Sequence, residues 1–397
     1  MTSLAELEAL ERRYAMPTYA RAPVEFVRGE GARLWDSEDR EYLDFFAGLS
    51  VHNAGHCHPR IVAAISGQAA QFSGSSNLFY SEPALRLAER LSTSSLGGKV
   101  FLCNSGAEAA ECAIKLARKH AHGRGVGRPE IVSLDGGFHG RTLGALAATP
   151  RLADEGRFGP LPGGFVAVPR DDSEALRAAI GPDTAAVMIE PVQGEAGIFP
   201  ISDEMLVAAR EGCDASGALL VLDEVQSGMG RTGTLWAHQQ LPVDPDLMTA
   251  AKALGGGLPV GAVVTSRSLG DTFEPGDHGT TFGGGPVAAA AALAALEVLG
   301  DERLLDSVRK LGHLFHSGLA AIEGVAEVRG RGLMVGVTLA DGLDAAAARD
   351  ACLQEGLVVN CPGSGMLRFL PPLVIGEADV EQALVIVESA VASVAPS

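Results

Sequence analysis

Lysine is scarce in this chain of 397 residues. Arginine and lysine together number 31, against 49 aspartates and glutamates, which gives a formal net charge of −18. A protein this acidic lacks the basic surface that nucleic acids and anionic membranes require, so we expect neither as a partner. Any chemistry that needs a primary amine has only five candidates, which are Lys99, Lys115, Lys119, Lys252 and Lys310.

Cysteine is also sparse, with six residues that form no C-x-x-C pair and no regular spacing. This usage is typical of a reduced compartment, and the acidic N-terminus has no signal-peptide pattern, so we expect a cytoplasmic protein. The long uncharged stretch 278–296 contains three consecutive glycines and a proline, which argues against a membrane span. A composition of 47% hydrophobic and 20% charged residues instead predicts a globular protein with a large core.

Short aliphatic runs alternate with helical segments from about residue 60 onward. The clearest runs lie at 131–134, 165–168, 185–190 and 218–222. They are nearly continuous, as strands buried on both faces of a parallel sheet are. We therefore predict an α/β fold in which residues 46–290 form a large domain with a mainly parallel sheet flanked by helices. Residues 1–45 and 291–397 are predicted to form a smaller α+β domain, with the N-terminal segment packed on the C-terminal part.

Two patterns imitate familiar binding sites. The stretch 228–233 matches G-x-G-x-x-G after a predicted strand, but a dinucleotide fingerprint also needs a helix that opens inside the motif. His52, His56 and His58 lie in a turn-like segment, where residues so close in sequence rarely converge on one ion. We therefore expect no metal site, and a non-enzymatic dinucleotide-binding protein is the more distant alternative.

Polar or small residues follow three of the predicted strands. Ser105, Gly106 and Ala107 open a helix, and the free N–H groups of a helix N-terminus suit a phosphate. Glu190 and Asp223 close two buried runs, where a carboxylate needs a cation or hydrogen-bond donors. Each feature alone fits an ordinary helix cap or ion pair. Together they predict one ligand crevice, because the carboxyl ends of parallel strands lie at the same edge of a sheet.

Lys252 is the strongest candidate amine. It lies in an apolar, glycine-rich stretch with no acidic residue between Asp246 and Asp271. Desolvation lowers the pKa of a lysine and makes its amine a nucleophile that can form an imine. An imine-forming lysine, a buried acid such as Asp223 and a phosphate cradle match the needs of pyridoxal phosphate. A surface lysine that extends into solvent is the alternative.

Several motifs, in order, resemble those of the class-III pyridoxal-phosphate-dependent aminotransferases from about residue 15 to residue 372. They are N-S-G-A-E-A at 104–109, F-H-G-R-T at 138–142, E-P-V-Q-G-E at 190–195, L-D-E-V-Q at 222–226, A-K at 251–252 and G-D-H-G-T-T-F-G-G at 276–284. The resemblance implies fold type I of the pyridoxal-phosphate-dependent transferases, pyridoxal 5'-phosphate as the cofactor, no metal, and a homodimer with its active sites at the interface.

Residue roles toward the cofactor follow from the resemblance by position. It implies that Lys252 holds the cofactor covalently and moves a proton, and that Asp223 pairs with the nitrogen of the cofactor ring. It also implies that Ser105, Gly106 and Ala107 hold the phosphate. The other implied cofactor contacts are Phe138 on the ring face, Glu190, Gln226 near the phenolic oxygen, and Thr281 from the neighbouring subunit.

The resemblance also implies a substrate site. Arg141 and Arg368 would bind carboxylates, and Glu195 would pair with Arg368 during one half-reaction, so that one site accepts two different substrates. Tyr19 and Thr280 match substrate-facing positions. The implied reaction transfers the δ-amino group of N2-acetyl-L-ornithine to 2-oxoglutarate and yields N-acetyl-L-glutamate 5-semialdehyde and L-glutamate.

The identity of the amino donor is the least constrained of these expectations. Leu49 lies about where ornithine aminotransferases tend to carry an aromatic residue, which favours an acylated donor. Gly285, Ala253 and His52 depart from the family pattern without removing a catalytic group. Ornithine, succinylornithine, 4-aminobutyrate and a protected lysine stay open as alternative donors, and a decarboxylase or racemase that uses the same cofactor is a further alternative.

Overall fold

The computed structural model describes residues 3–74, 76–154, 156–363 and 365–394. The α-helices of this part are α1 (Leu4–Tyr14), α2 (Ala47–Ser50), α3 (Pro59–Gln71), α4 (Glu82–Ser94), α5 (Gly106–Gly123), α6 (Leu143–Ala147), α7 (Pro150–Asp154), α8 (Ser173–Ala179), α9 (Asp203–Ser216), α10 (Pro286–Leu299), α11 (Glu302–Ala320), α12 (Ala345–Gln354) and α13 (Glu377–Ser393). Short 3₁₀ helices span Ala237–Gln240, Lys252–Gly255 and Arg267–Leu269.

The strands of the described residues form one seven-stranded sheet, two four-stranded sheets and one two-stranded sheet. They are β1 (Phe26–Glu30), β2 (Arg33–Asp36), β3 (Glu41–Asp44), β4 (Gly97–Cys103), β5 (Glu130–Leu134), β6 (Phe165–Val168), β7 (Thr184–Ile189), β8 (Val192–Gln193), β9 (Phe199–Pro200), β10 (Leu219–Asp223), β11 (Leu247–Ala250), β12 (Gly261–Ser266), β13 (Val325–Arg331), β14 (Met334–Leu339), β15 (Leu357–Val358), β16 (Asn360–Gly363) and β17 (Met366–Phe369). Helices and strands alternate between β4 and β11.

A seven-stranded sheet of order β4-β12-β11-β10-β7-β5-β6 forms the centre of the protein. The five strands from β11 to β6 pair in parallel, and β12 runs antiparallel to both of its neighbours. Alternate side chains of β10 point to opposite faces, so Leu219 and Val221 pack in the cluster that contains α5, and Leu220 and Leu222 in the one that contains α9. The predicted α/β class with a mainly parallel, helix-flanked sheet is confirmed.

Strands β11 and β12 are missing from the sequence-based prediction. These two short buried strands flank the glycine-rich stretch around Lys252, and the glycines obscure the strand pattern on either side. Because β12 runs antiparallel to β11, the whole connection between them lies at the edge of the sheet where β11 ends. Lys252 lies in this connection, next to the edge where β10 also ends.

The two chain ends meet in smaller sheets. The N-terminal strands β1, β2 and β3 form a sheet that β15 completes, with Leu43 paired in parallel with Leu357. The strands β13, β14, β17 and β16 form a separate antiparallel sheet. This pairing supports placing 1–45 with 291–397, but the boundary at residues 46 and 290 stays a prediction, and residues 1, 2 and 395–397 of those ranges lie outside the described part.

The stretch 228–233, which matches G-x-G-x-x-G, forms turns, and no helix begins among these described residues. Its Arg231 is completely buried and donates to Ser50 Oγ at 3.0 Å, to the Leu333 carbonyl at 3.0 Å and to the Pro371 carbonyl at 2.6 Å. Burial lowers the pKa of Arg231 to about 9. The arginine therefore joins three distant segments of the chain.

None of the helices in the described residues combines the length and the apolar character that a membrane-crossing helix needs.

Candidate active site

A cavity of about 470 Å³ opens at the carboxyl edge of the central sheet. Ten of the residues predicted for the site line it, namely Ser105, Gly106, Ala107, Phe138, Arg141, Glu190, Glu195, Asp223, Gln226 and Lys252. They come from six segments, which lie at or after the ends of β4, β5, β7, β8, β10 and β11. The predicted single crevice at this edge is therefore present in the fold.

Lys252 projects an amine without a fixed partner into this cavity. Its backbone φ is +50°, a left-handed conformation that residues other than glycine rarely adopt and that is found most often at functional sites. Among the described residues, its Nζ donates no hydrogen bond and forms no ion pair. Burial lowers the pKa of Lys252, against the raising effect of the Glu195 charge, which favours the uncharged amine more than in a solvated lysine.

Asp223 is a buried carboxylate whose direction is fixed by three donors. Its Oδ1 accepts a hydrogen bond from Thr249 Oγ1 at 2.9 Å and one from the Val225 N–H at 3.1 Å. Its Oδ2 lies 2.7 Å from Nδ1 of His139, which is also buried. Burial by itself would lower the pKa of His139, but the hydrogen bond and charge of Asp223 raise it.

His139 is the functional residue that the sequence reasoning missed. It stands next to Phe138 in the F-H-G-R-T motif, so its presence in the motif is the signal that could have drawn attention to it. Its contact with Asp223 spans 84 residues of sequence and depends on how the loop after β5 folds. Asn104 and Val225 also line the cavity without having been predicted to do so.

Glu190 connects two loops of the cavity. Its Oε1 accepts the Phe138 N–H at 2.8 Å, and its Oε2 accepts the Gly194 N–H at 3.3 Å. Burial raises the pKa of Glu190 to about 7, partly offset by the nearby His139. Both carboxylate oxygens therefore bind backbone of the cavity wall, and its predicted contact with a cofactor stays a prediction.

The N-terminus of α5 forms a cradle whose shape depends on Ser105 and Gly106. Ser105 caps the helix, and its Oγ accepts the Glu108 N–H at 3.1 Å. A Cβ added to Gly106 would lie 2.9 Å from Val225 Cγ1, so only glycine lets these loops approach so closely. Gln226 Oε1 is buried without a partner in the described part of the chain. A helix N-terminus for an anion, an unpaired acceptor and a free amine fit pyridoxal phosphate.

Two arginines provide positive charge in this acidic protein. Arg368, which is 2% exposed, donates from Nη1 to Glu195 Oε1 at 2.7 Å and is held by Asn360 Oδ1, 2.7 Å from its Nη2. Burial would raise the pKa of Glu195, but the charge and hydrogen bond of Arg368 hold it below its usual value. The guanidinium carbon of Arg141 lies 5.6 Å from the centre of the Phe138 ring.

Four residues of the predicted site lie outside the cavity lining of this chain, namely Tyr19, Thr280, Thr281 and Arg368, the last of which pairs with the lining residue Glu195. Tyr19 is 73% exposed. Thr281 is exposed, and Thr280 accepts a hydrogen bond from Asn104 Nδ2 at its Oγ1, over 3.0 Å. Their predicted contacts with substrate or with a neighbouring subunit stay predictions.

The histidine-rich turn packs against the end of β3. His56 Nε2 lies 2.7 Å from Asp44 Oδ2, and the rings of His52 and His56 are 4.5 Å apart. Across the described ranges, no group of three or more His, Cys, Asp or Glu side chains is placed to hold a metal ion. The Asp44–His56 contact instead connects β3 with the turn.

Comparison with known proteins agrees with this geometry. The family model for class-III aminotransferases matches residues 14–391, and the chain belongs to that family. It is 45% identical over 389 residues to the acetylornithine aminotransferase of Caldanaerobacter subterraneus subsp. tengcongensis, covering 97% of this chain and 98% of that protein. It is 48% identical over 370 residues to the acetylornithine aminotransferase of Streptomyces coelicolor, with coverage of 92% and 90%.

Solved structures of the same fold are also similar. The N-acetylornithine aminotransferase of Stenotrophomonas maltophilia has a TM-score of 0.84 and 40% identity, and the match covers 97% of this chain and 98% of that one. The ornithine aminotransferase of Toxoplasma gondii, in a structure with pyridoxal phosphate at partial occupancy, has a TM-score of 0.94 and 34% identity, covering 99% and 95%. The protein is thus an aminotransferase.

Glu190→Gln should change how stability depends on pH. The folded carboxyl keeps its proton up to about pH 7, whereas the unfolded carboxyl loses it near the ordinary value of 4.5. Glu190 therefore favours folding below that ordinary value, and this contribution is lost as the pH rises toward 7. Glutamine cannot ionise, so the melting temperature of the variant minus that of the wild type should rise steadily from about pH 5 to about pH 7.5.

Differential scanning fluorimetry at matched cofactor content measures this difference. One pKa unit corresponds to about 1.4 kcal/mol, so the change across the range should amount to a few kcal/mol. Glu381→Gln, at an exposed position of α13, controls for the loss of a carboxylate. A difference between Glu190→Gln and wild type that stays flat with pH would show that burial does not raise the pKa of Glu190.

Proposed function

We propose that this aminotransferase transfers the δ-amino group of N2-acetyl-L-ornithine to 2-oxoglutarate and releases N-acetyl-L-glutamate 5-semialdehyde and L-glutamate. The observation that carries the proposal is the buried Arg368 paired with Glu195, which lines the same cavity as Arg141. A dicarboxylate such as 2-oxoglutarate needs two cations, whereas the acylated donor presents one carboxylate. The two acetylornithine aminotransferases that cover nearly the full chain support this choice of donor.

Pyridoxal 5'-phosphate, when bound, supplies an electrophilic carbon that can carry the amino group and a ring that accepts electrons. The chain provides the remaining functions. The first turn of α5 offers N–H groups to the phosphate, and Asp223 keeps a negative charge available for a protonated ring nitrogen. Phe138 lines the cavity as the aromatic surface for the ring.

Lys252 is the group that can move a proton inside the cavity. A lowered pKa lets the Nζ amine accept a proton from a substrate carbon and return it, which a permanently charged ammonium cannot do. Its lack of a hydrogen-bonding partner in the described chain leaves the side chain free to turn. Burial of the side chain favours the uncharged form of the amine.

The substrate site is proposed to work as a charge switch. With Glu195 on Arg368, Arg141 is the arginine of the cavity lining that has no carboxylate partner among the described residues, and it suits the single carboxylate of the acylated donor. When a dicarboxylate enters, one of its carboxylates replaces Glu195 on Arg368. Leu49, in place of an aromatic side chain, favours the acylated donor over ornithine.

A second copy of this chain is the partner that we propose. Leu78, Phe79, Tyr80 and Phe282 are 87%, 69%, 95% and 79% exposed, and such an apolar surface is unusual on a monomer. Asn77 joins the two segments that carry them, because its Nδ2 donates to the Thr280 and Gly283 carbonyls. A homodimer would cover this surface and bring Thr280 and Thr281 toward the partner's cavity. The cysteine usage supports the cytoplasm as its location.

A panel of amino donors tests the proposed substrate. N2-acetyl-L-ornithine, ornithine, N2-succinyl-L-ornithine, 4-aminobutyrate and an amino-protected lysine are assayed with 2-oxoglutarate, and glutamate formation is measured. We expect kcat/KM for N2-acetyl-L-ornithine to exceed that for ornithine and 4-aminobutyrate by about tenfold or more, because Arg141 would hold the carboxylate and Leu49 favours an acylated over a charged nitrogen beside it.

Arg141→Ala is the matching variant for this panel. It should raise the KM for the acylated donor, because the remaining arginine is occupied by Glu195. A higher kcat/KM for ornithine or 4-aminobutyrate in the wild type would overturn the assignment of the donor. An unchanged KM in Arg141→Ala would remove this residue from the carboxylate site.

Light scattering in solution tests the homodimer, for which we expect twice the chain mass. Phe282→Asp places a charge in the apolar surface and should shift the protein toward monomer, with loss of bound cofactor. Val385→Asp, at a 66% exposed position of α13, should leave the mass unchanged. A wild-type protein that is monomeric at all concentrations would contradict the proposal.

A further inference from the structure

The pair formed by Glu195 and Arg368 joins two separate parts of the fold. Glu195 lies in the hairpin loop 194–198 between β8 and β9, whereas Arg368 lies on β17. Arg368 Nη1 also donates to the Gly194 carbonyl at 2.9 Å. The separation of the loop from β17 therefore determines how well the carboxylate and the guanidinium can pair.

Arg329 contacts both parts. It lies on β13, is 8% exposed, and donates from Nε to the Gly197 carbonyl at 2.9 Å. Its Nη2 lies 3.0 Å from Sδ of Met366, two residues before Arg368 on the same strand. Arg329 does not line the cavity, so it can act on substrate only through the loop and the strand.

Close packing gives the loop little room to move on its own. Gly197 has a φ of +113°, and a Cβ there would lie 2.5 Å from Met366 Sδ. The guanidinium carbons of Arg170 and Arg329 lie 3.7 and 4.0 Å from the centre of the Phe199 ring. Two like charges this close to one ring must occupy its opposite faces, so Phe199 is held from both sides.

We propose that Arg329 is a positioning residue that sets how strongly Glu195 competes with a substrate carboxylate for Arg368. The inference rests on the proposed function, in which a dicarboxylate displaces Glu195 in one half-reaction. By holding the Gly197 carbonyl, Arg329 keeps the loop in the closed position. Arg368 does not need this help, because Asn360 Oδ1 holds its Nε and Nη2 at 3.1 and 2.7 Å.

Arg329→Met removes the bond to Gly197 and keeps much of the side-chain volume. Without that bond, Glu195 should leave Arg368 more often, while Arg368 stays in place. We expect the KM for 2-oxoglutarate to fall and the KM for the amino donor to rise, each by about fivefold, the change that one hydrogen bond typically produces. A role limited to stability would move both constants in the same direction or lower kcat alone.

The affinity for glutarate, a dicarboxylate that is not transaminated, gives a second measurement by calorimetry. Glutarate should bind the Arg329→Met enzyme more tightly than the wild type. This measurement needs no turnover, so it tests Arg329 even if the donor assigned above is wrong. Arg329→Lys, which keeps the charge but has one donor nitrogen, should give an intermediate shift and replaces Arg329→Met if that variant does not fold.

Arg170→Met is the matched control. It removes the other guanidinium from Phe199 and leaves the bond from Arg329 to Gly197 intact. We expect both KM values and glutarate binding to stay at wild-type levels in this variant. Opposite shifts in Arg329→Met with none in Arg170→Met support the proposal. Parallel shifts in Arg329→Met, equal shifts in the two variants, or weaker glutarate binding in Arg329→Met would overturn it.

Discussion

The need to hold charged groups where water is excluded determines the architecture of this site. Asp223 ends a strand that is buried along its whole length, and an ionised carboxylate there is costly unless donors surround it. Thr249, the Val225 N–H and His139 provide those donors from three different segments. The contacts that satisfy Asp223 therefore also hold the loop with His139 and the strand with Thr249 against the end of β10.

The cavity wall is connected in the same way. Glu190 binds the backbone of Phe138 on one side and of Gly194 on the other, so the loop with the aromatic residue and the loop with Glu195 share one anchor. In a protein of charge −18, the positive charge of Arg368 is kept apart from the acidic surface, because the side chain is buried and held by Asn360. Arg368 can therefore bind a small anion even though the protein as a whole is negatively charged.

The sequence was sufficient for those features that depend on local pattern. Buried aliphatic runs predict parallel strands, and parallel strands place Glu190 and Asp223 at one edge. Contacts that depend on loop conformation, such as that between His139 and Asp223, could not be predicted from the sequence. No periodic pattern connects residues 84 positions apart. Strand β12 was missed because glycines interrupt its surroundings, and the support of Arg368 by Asn360 arises only from the pairing of β16 with β17.

Lys252 is the amine that we propose carries the cofactor. Borohydride reduction of the purified enzyme fixes a lysine–cofactor linkage, and peptide mass spectrometry then identifies the modified residue. We expect the reduced cofactor on Lys252 in close to one copy per chain and none on the other four lysines. Modification at Lys99, Lys115, Lys119 or Lys310 in place of Lys252, or no modified lysine in an active enzyme, would contradict it.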